Sequence, residues 1–559
     1  MSDLIFQRSR LTVEGETFHT ARLGGQDVIL AIFDPEAEPR RRRFLRGEEA
    51  TWTLGARRVG VRICPADLDN LLAFDRRIAP QRRLVALNRE AGLWSGLGTG
   101  NRVIVTADDV ADLADATALG VFEGIFQAMV DSPVPNWFIQ QSIVRELIPE
   151  GVDPADFPGI GHTGGYGPRE LLRSGLFAFA SLGGYTCFPH PIGADADHAI
   201  VAGRDEESLN RSLALNRTAI AESRHFTKFT VDTCHLFDFP VSLSAAERRR
   251  LLDTFKGRVF AIPNVLGDRE GFTYAFDEEE ILSLGRKYWR ACQVHKELYD
   301  FVARLKGEEP FDYELSLDET PVPTPPRELL FYLVMLEEVM EVPRGGVTSV
   351  APSFGFRKRT DYEGDPHRDL WPHVNECASI AAAFRQVLCV HSGSGAGVKT
   401  GKGPGVDQAL SDAAGGRIQL KVSGIYQEIL WRVLADSPLS EARRLFEEAW
   451  ERTRRVAAIV AGEAPAGEGD AWIVEAVRGY GPQQAHLART LLSRADPARK
   501  RPDDDFFRHF AYLVWRPLRR RIYATLTRPV WDQYAEAVAA YTRMRLGGLF
   551  GWKDRSSST

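Results

Sequence analysis

Two periodicities divide the chain. Up to about residue 85, short runs alternate apolar and polar positions: LTVEGETFHTARL, then DVILAIF, then RRVGVRI. A period of two with intervening glycine turns predicts strands, so residues 1–85 are read as a β-rich N-terminal module. From about residue 86 to 435, short apolar runs alternate with helical stretches. Seven runs predict strands: RVIVT (102–106), NWFIQQ (136–141), FTKFTVD (226–232), FDYELSL (311–317), VTSVAPSF (347–354), VLCVHS (387–392) and RIQLKVS (417–423). An eighth is expected within 186–201, without a firm position. Strand–helix alternation implies a parallel sheet, because each parallel connection needs a crossover. Eight such units predict a closed (β/α)8 TIM-like barrel with its site at the carboxyl ends of the strands. An open doubly wound sheet is the alternative. A helix-rich insert is expected from about 244 to 306. Residues 436–552 carry amphipathic helical patterns, and the tail 553–559 is expected to be disordered.

Composition changes this picture little. Among 559 residues, 44% are hydrophobic and 26% charged, with a formal net charge of -6, which favours neither nucleic acid nor an anionic membrane as partner. No segment has the length of a membrane span, and MSDLIFQRSR lacks the apolar core of a signal peptide. The six cysteines form no C-x-x-C pair. These features together predict a cytoplasmic protein with free thiols. The arginine-rich block from Arg40 to Glu49 and the cluster RPLRRR (516–521) read as solvated or ion-paired faces.

Candidate chemistry collects where strands end. Gln140, Gln141 and Ser142 follow NWFI; Asp232 ends FTKFTVD; Asp318 and Glu319 follow YELSL; His391, Ser392 and Ser394 follow VLCV; Lys421 lies within RIQLKVS. In a barrel these positions converge on one mouth. GADADHAI (193–200) places Asp195, Asp197 and His198 within four residues, a donor set suited to a divalent cation, although a polar turn would use the same residues. The loop SGSGAGVKTGKGPG (392–405) has Ala396 and Gly403 where a P-loop requires glycine and Ser/Thr; it reads as a glycine loop over a site, with Lys399 and Lys402 as open anion-binding candidates. His373 reads as structural.

Several strings, taken in order, resemble the tagaturonate/fructuronate epimerase family: QQSIVRE (140–146), GADADHAI, YELSLDETPVPT (313–324), VAPSFGFRKRTDYEGD (350–365), VLCVHSGSG (387–395) and RIQLKVSG (417–424). The resemblance implies a metal-dependent epimerase inverting carbon 4 of a keto-hexuronate. It makes His198 and His391 ligands of a divalent cation such as Mn, Ni or Zn, with Gln419 at a third ligand position that is histidine in the family. Under this reading Glu146, Asp195, Asp232, Glu319 and Lys421 are the catalytic candidates. Gln140, Gln141, Ser142, Arg145, Lys358, Ser392 and Ser394 are the substrate-binding candidates. The partner is a small sugar acid, and homo-oligomerisation stays open. Gln419 and Gly395-Ala396 depart from the family pattern. Two alternatives therefore stand beside the epimerase: a metal-dependent sugar or sugar-phosphate aldolase or isomerase, and a non-catalytic sugar-binding paralogue.

Overall fold

The computed structural model describes residues 3–100, 102–141, 143–144, 166–357, 359–477 and 480–552. Ser142, Arg145, Glu146, Lys358 and the tail 553–559 lie outside the described residues.

Eight parallel strands close a barrel, each hydrogen-bonded to the next in chain order: β1 (Gly96–Gly100), β2 (Asn136–Gln140), β3 (Ile192–Ile200), β4 (Lys228–Asp232), β5 (Asp312–Leu317), β6 (Ser349–Pro352), β7 (Val387–Val390) and β8 (Ile418–Val422), which returns to β1. The expected barrel is therefore present. Two strands differ from expectation. The strand placed at 102–106 is instead β1, six residues earlier at its start. β1 is GLGTG, which offers almost no apolar signal, and it has to be so. A Cβ on Gly98 would lie 2.4 Å from the indole nitrogen of Trp137, whose ring fills this sector of the interior. Val103, Ile104 and Val105 are buried, but as a connector: the Ile104 carbonyl accepts a hydrogen bond from the Tyr523 hydroxyl (2.6 Å). The unplaced strand is β3, and GADADHAI lies within it rather than in a turn.

Outward-facing strand residues, among them Phe138, Val231, Leu315, Leu388 and Leu420, join the single large apolar core beneath the helices. Between β4 and β5 come helix Ala245–Phe255, a small hairpin (Val259–Ile262 with Phe272–Ala275) and the 29-residue helix Glu278–Lys306. The first begins with a reciprocal cap between Ser244 and Glu247, which satisfies two otherwise orphaned backbone donors.

The N-terminal segment forms a six-stranded antiparallel sheet. Its Glu14-Gly15 and Gly24-Gly25 turns all have positive φ, as tight hairpins of matching twist require. Arg42, read as part of a solvated block, is buried. It pairs with Glu16 and sits 3.5 Å over the Phe33 ring. RPLRRR is an ion-paired face, with Arg519 on Asp109 (3.2 Å) and Arg521 on Glu448 (2.8 Å). The C-terminal helices pack on the barrel wall. The last, Arg528–Phe550, lies so close to helix Val121–Met129 that a Cβ on Gly124 would come within 2.4 Å of the Ala535 carbonyl. Among the described residues, no helix is long and apolar enough to cross a membrane.

Candidate active site

The barrel interior is filled by charge. Alternation along each strand sends Asp195 and Asp197 inward from β3, Lys228, Thr230 and Asp232 from β4, Asp312 and Glu314 from β5, Cys389 from β7, and Gln419 and Lys421 from β8. His391 and Asp318 follow the ends of β7 and β5. All are buried except Asp318, which is partly exposed.

These residues form tiers. In the lowest, the Lys228 ammonium donates to Glu314 (2.6 Å) and to the Gln419 amide oxygen (2.9 Å), and lies 4.8 Å from the centre of the Trp137 ring. The Gln419 amide nitrogen donates to Asn88 (3.2 Å), and Asp312 accepts the backbone N–H groups of Asn88 and Arg89 (2.9 and 3.0 Å). In the middle tier, Lys421 Nζ meets Asp195 (2.8 Å), Asp197 (2.7 Å), Glu314 (2.7 Å) and the Thr230 hydroxyl (2.8 Å). Burial opposes the charge on Lys421, but these three carboxylates outweigh it and hold the ammonium protonated. Burial likewise opposes ionisation of Glu314, yet Lys228 and Lys421 keep its carboxyl well below the usual range.

The upper tier carries both histidines. His391 Nε2 lies 2.7 Å from Glu314 and Nδ1 lies 2.9 Å from Asp318. His198 Nε2 is 3.3 Å from His391 Nδ1, 3.8 Å from Asp318 and 4.0 Å from Asp197. A β-bulge makes this meeting possible. Ala196 pairs with Phe229 and Ala199 with Val231, so three steps on β3 oppose two on β4. The extra residue breaks the alternation and turns His198 toward the same space as Asp197. His198 takes φ +56°, a left-handed conformation that costs a non-glycine residue about 1–2 kcal/mol. Burial opposes protonation of both rings. For His391 Asp318 outweighs it and raises the ring well above its usual range; for His198 Asp197 and Asp318 raise it to about 9.

Asp232 stands at the edge of this tier. One carboxylate oxygen accepts the Cys234 N–H (2.8 Å), while the other has no hydrogen-bond partner among the described residues. Burial, helped by the charge of Asp318 and offset by His198, raises it to about 6. Among the described residues, six carboxylates (Asp195, Asp197, Asp232, Asp312, Glu314 and Asp318) thus share two ammonium groups and two imidazoles. The donor atoms of Asp197, His198 and His391 lie within 4.8 Å of one another, and two imidazoles with a carboxylate suit a divalent transition metal.

Of the expected site residues, the fold brings Asp195, His198, Asp232, His391 and Lys421 together. Gln419 is not brought to the histidine pair: its amide is engaged one tier below by Lys228 and Asn88. Gln140 shares the outward face of Phe138, which packs against Phe122. Its amide is buried without a partner among the described residues. Gln141 bonds the Ser423 hydroxyl (2.5 Å) and accepts from Arg102 (3.3 Å). Glu319 sits half-buried at the mouth. Ser392 and Ser394 border His391, with Ser392 in a left-handed conformation (φ +55°). Lys402 is buried and donates to the backbone carbonyls of Arg357 and Thr360, while Lys399 is exposed. His373 meets the Thr324 carbonyl at 2.8 Å, as a structural histidine does. Sequence reasoning missed Lys228 and Glu314. Their signal was present: K-x-T-x-D and D-x-E-x-S alternate polar with apolar residues inside strands whose outer face was already predicted to be covered.

A model of the tagaturonate epimerase family matches residues 178–426, a span that holds every residue of the upper and middle tiers. The tagaturonate/fructuronate epimerase of Thermotoga maritima is 28% identical over 350 residues, 60% of this chain and 58% of that protein's length. The native structure of the fructuronate-tagaturonate epimerase of Cohnella laeviribosi aligns over 98% of this chain and 96% of its own, with TM-score 0.57 and 20% identity. Its complex with one glycerol aligns over the same shares, with TM-score 0.57 and 18% identity. These structures share the fold. The family match spans the charged barrel interior, and there the chain is similar to tagaturonate epimerases.

Proposed function

We propose that this chain is an isomerase that inverts carbon 4 of a keto-hexuronate, interconverting tagaturonate and fructuronate, with a divalent cation held by His198, His391 and Asp197. The observation that carries the reading is the pair of imidazoles, 3.3 Å apart, at the carboxyl ends of β3 and β7 above a carboxylate-rich interior. A cation bound there supplies Lewis-acid polarisation of a substrate oxygen.

The remaining chemistry falls to side chains. With the ketone at carbon 2, only the protons on carbons 1 and 3 are acidified, so direct deprotonation at carbon 4 is disfavoured. Retro-aldol cleavage avoids this. A base takes the proton of the 4-hydroxyl, the 3–4 bond breaks to an aldehyde and an enediolate, the aldehyde turns, and the bond re-forms with the proton returned. Asp232 suits the base role: it has an uncommitted oxygen and a proton affinity near neutrality. Lys421, kept protonated by its three carboxylates, suits the stabilisation of developing negative charge on the substrate. Asp195 holds Lys421 in place from below.

The sugar-binding paralogue is the second reading, favoured by Gln419, whose amide is committed to Lys228. One experiment separates the two. The protein is incubated with tagaturonate and added Mn, Ni or Zn, and followed by carbon-13 NMR. The epimerase reading predicts fructuronate without free three-carbon fragments. Released fragments would make it an aldolase, and unchanged tagaturonate with every metal would sink the enzymatic reading.

A further inference from the structure

The N-terminal sheet ends in an open edge. Among the described residues its last strand, Glu48–Leu54, pairs only with Arg57–Pro65. Leu54 and Arg57 flank a two-residue turn, Gly55-Ala56. Residues flanking such a turn exchange both backbone hydrogen bonds, and the pairing then alternates along the strand. Glu48, Ala50, Trp52 and Leu54 therefore direct their backbone groups to the neighbouring strand. Glu49, Thr51 and Thr53 direct theirs outward, where no backbone partner meets them among the described residues. Every residue from Glu48 to Arg58 is exposed except Trp52, which is partly so. An open edge is a template for another strand, and proteins blunt such edges with lysine, proline or a bulge. EEATWTL has neither lysine nor proline, and its register with Arg57–Pro65 runs unbroken through seven pairs.

The charges select the strand that fits. Glu48 and Glu49 begin this strand, while Arg57 and Arg58, just past the turn, lie beside its other end. Glu48, Arg57 and Arg58 are exposed and form no ion pair among the described residues. A second copy laid antiparallel about Thr51 sets Glu48 opposite Leu54, Glu49 opposite Thr53, and Thr51 opposite itself. The outward backbone groups of Glu49, Thr51 and Thr53 then meet those of the same three residues. Arg57 stands one strand behind Leu54 on the same face. The partner's Glu48 is thus two strand spacings from Arg57, about 10 Å between Cα atoms, a gap the two long side chains span together. Two-fold symmetry repeats the match at the other end. A parallel pairing would instead set glutamates beside glutamates.

Apolar residues support the same register. Trp52 packs on a small cluster of Ala21, Val28, Leu30, Val59 and Val61 that is separate from the main core. Leu54, on the same face, is 51% exposed. In the joined sheet the two Trp52 rings are diagonal neighbours, within reach of each other, and the Arg57–Glu48 pair passes over Leu54.

We infer that the protein is a two-fold homodimer in which Glu48–Leu54 pairs antiparallel with the same strand of a second copy, making one continuous sheet. This pairing is independent of the reaction proposed for the barrel.

Sedimentation velocity of the full chain across micromolar concentrations tests it. The wild type should sediment as a dimer that dissociates on dilution. Thr51→Pro removes an outward N–H at the two-fold axis and spares the bonds to Arg57–Pro65, so it should be monomeric. Glu48→Arg brings like charges together at both ends and should raise the dimer dissociation constant about tenfold or more. Adding Arg57→Glu to Glu48→Arg should restore the wild-type value. A folding defect cannot produce that rescue, so the charge swap decides the matter even if Thr51→Pro fails to fold. A wild type that stays monomeric, an assembly indifferent to Thr51→Pro, a Glu48→Arg dimer as tight as the wild type, or a double variant no tighter than Glu48→Arg would each overturn the inference.

Discussion

The lowest and uppermost tiers of the barrel interior are built from similar residues and behave differently. Below, Lys228, Glu314, Gln419, Asn88 and Asp312 match donor to acceptor. Above, two imidazoles face each other at 3.3 Å, Asp232 keeps an oxygen unbonded among the described residues, and His198 sits in a left-handed conformation on a bulge. A matched polar network rigidifies a core, whereas an under-matched one held in strained geometry marks a place prepared for something else. Lys421 joins the tiers, since it meets carboxylates that touch both.

That contrast can be broken most forcefully at Lys421. Replacing it in Lys421→Met leaves Asp195, Asp197 and Glu314 without their shared cation. Unfolding in urea should show a loss of about 3–5 kcal/mol, the usual cost of stranding buried charge. A loss below about 1 kcal/mol would mean that the tiers are not coupled through this residue.

A sharper test is Gln419→His, which places in the lower tier the histidine that the resemblance to tagaturonate epimerases implies. The imidazole removes the amide oxygen that Lys228 uses, so stability should fall by about 1–3 kcal/mol, and metal content should not rise. Increased metal content would mean that the lower tier also holds the cation.

The last expected effect lies outside both tiers and appears only as the pH falls below neutrality. His295 is buried in the helix layer against Tyr313, and burial lowers its ring from 6.5 to about 3. The folded state therefore keeps it neutral while the unfolded chain protonates. Its contribution to stability is complete above pH 6.5 and is lost as pH falls from there toward 3, with a slope approaching about 1.4 kcal/mol per pH unit. Urea melts of the wild type and His295→Phe across this range should show the variant losing less stability on acidification. Parallel pH profiles would contradict the assignment.

Much of this architecture was legible in the sequence, for reasons tied to particular residues. Strands such as VLCV and YELSL announce themselves because their outer faces are buried under helices and must be apolar. β1 was displaced because Trp137 leaves room only for glycine opposite it, and glycine carries no pattern. β3 was unplaced because its inward face is Asp195 and Asp197, which read as a turn. The pairing of His198 with His391 came from resemblance, since nothing local in GADADHAI signals a bulge. The role expected of Gln419 also came from resemblance, and nothing local in RIQLKVS signals that its amide meets Lys228 and Asn88.

The central claim is that the upper tier holds a divalent cation through His198 and His391. Elemental analysis of the protein after incubation with Mn, Ni or Zn and removal of free metal tests it most directly. The account predicts close to one bound ion per chain in the wild type and essentially none in a His198→Ala, His391→Ala double variant that still melts cooperatively. Equal metal content in the two proteins, or none in either, would contradict it.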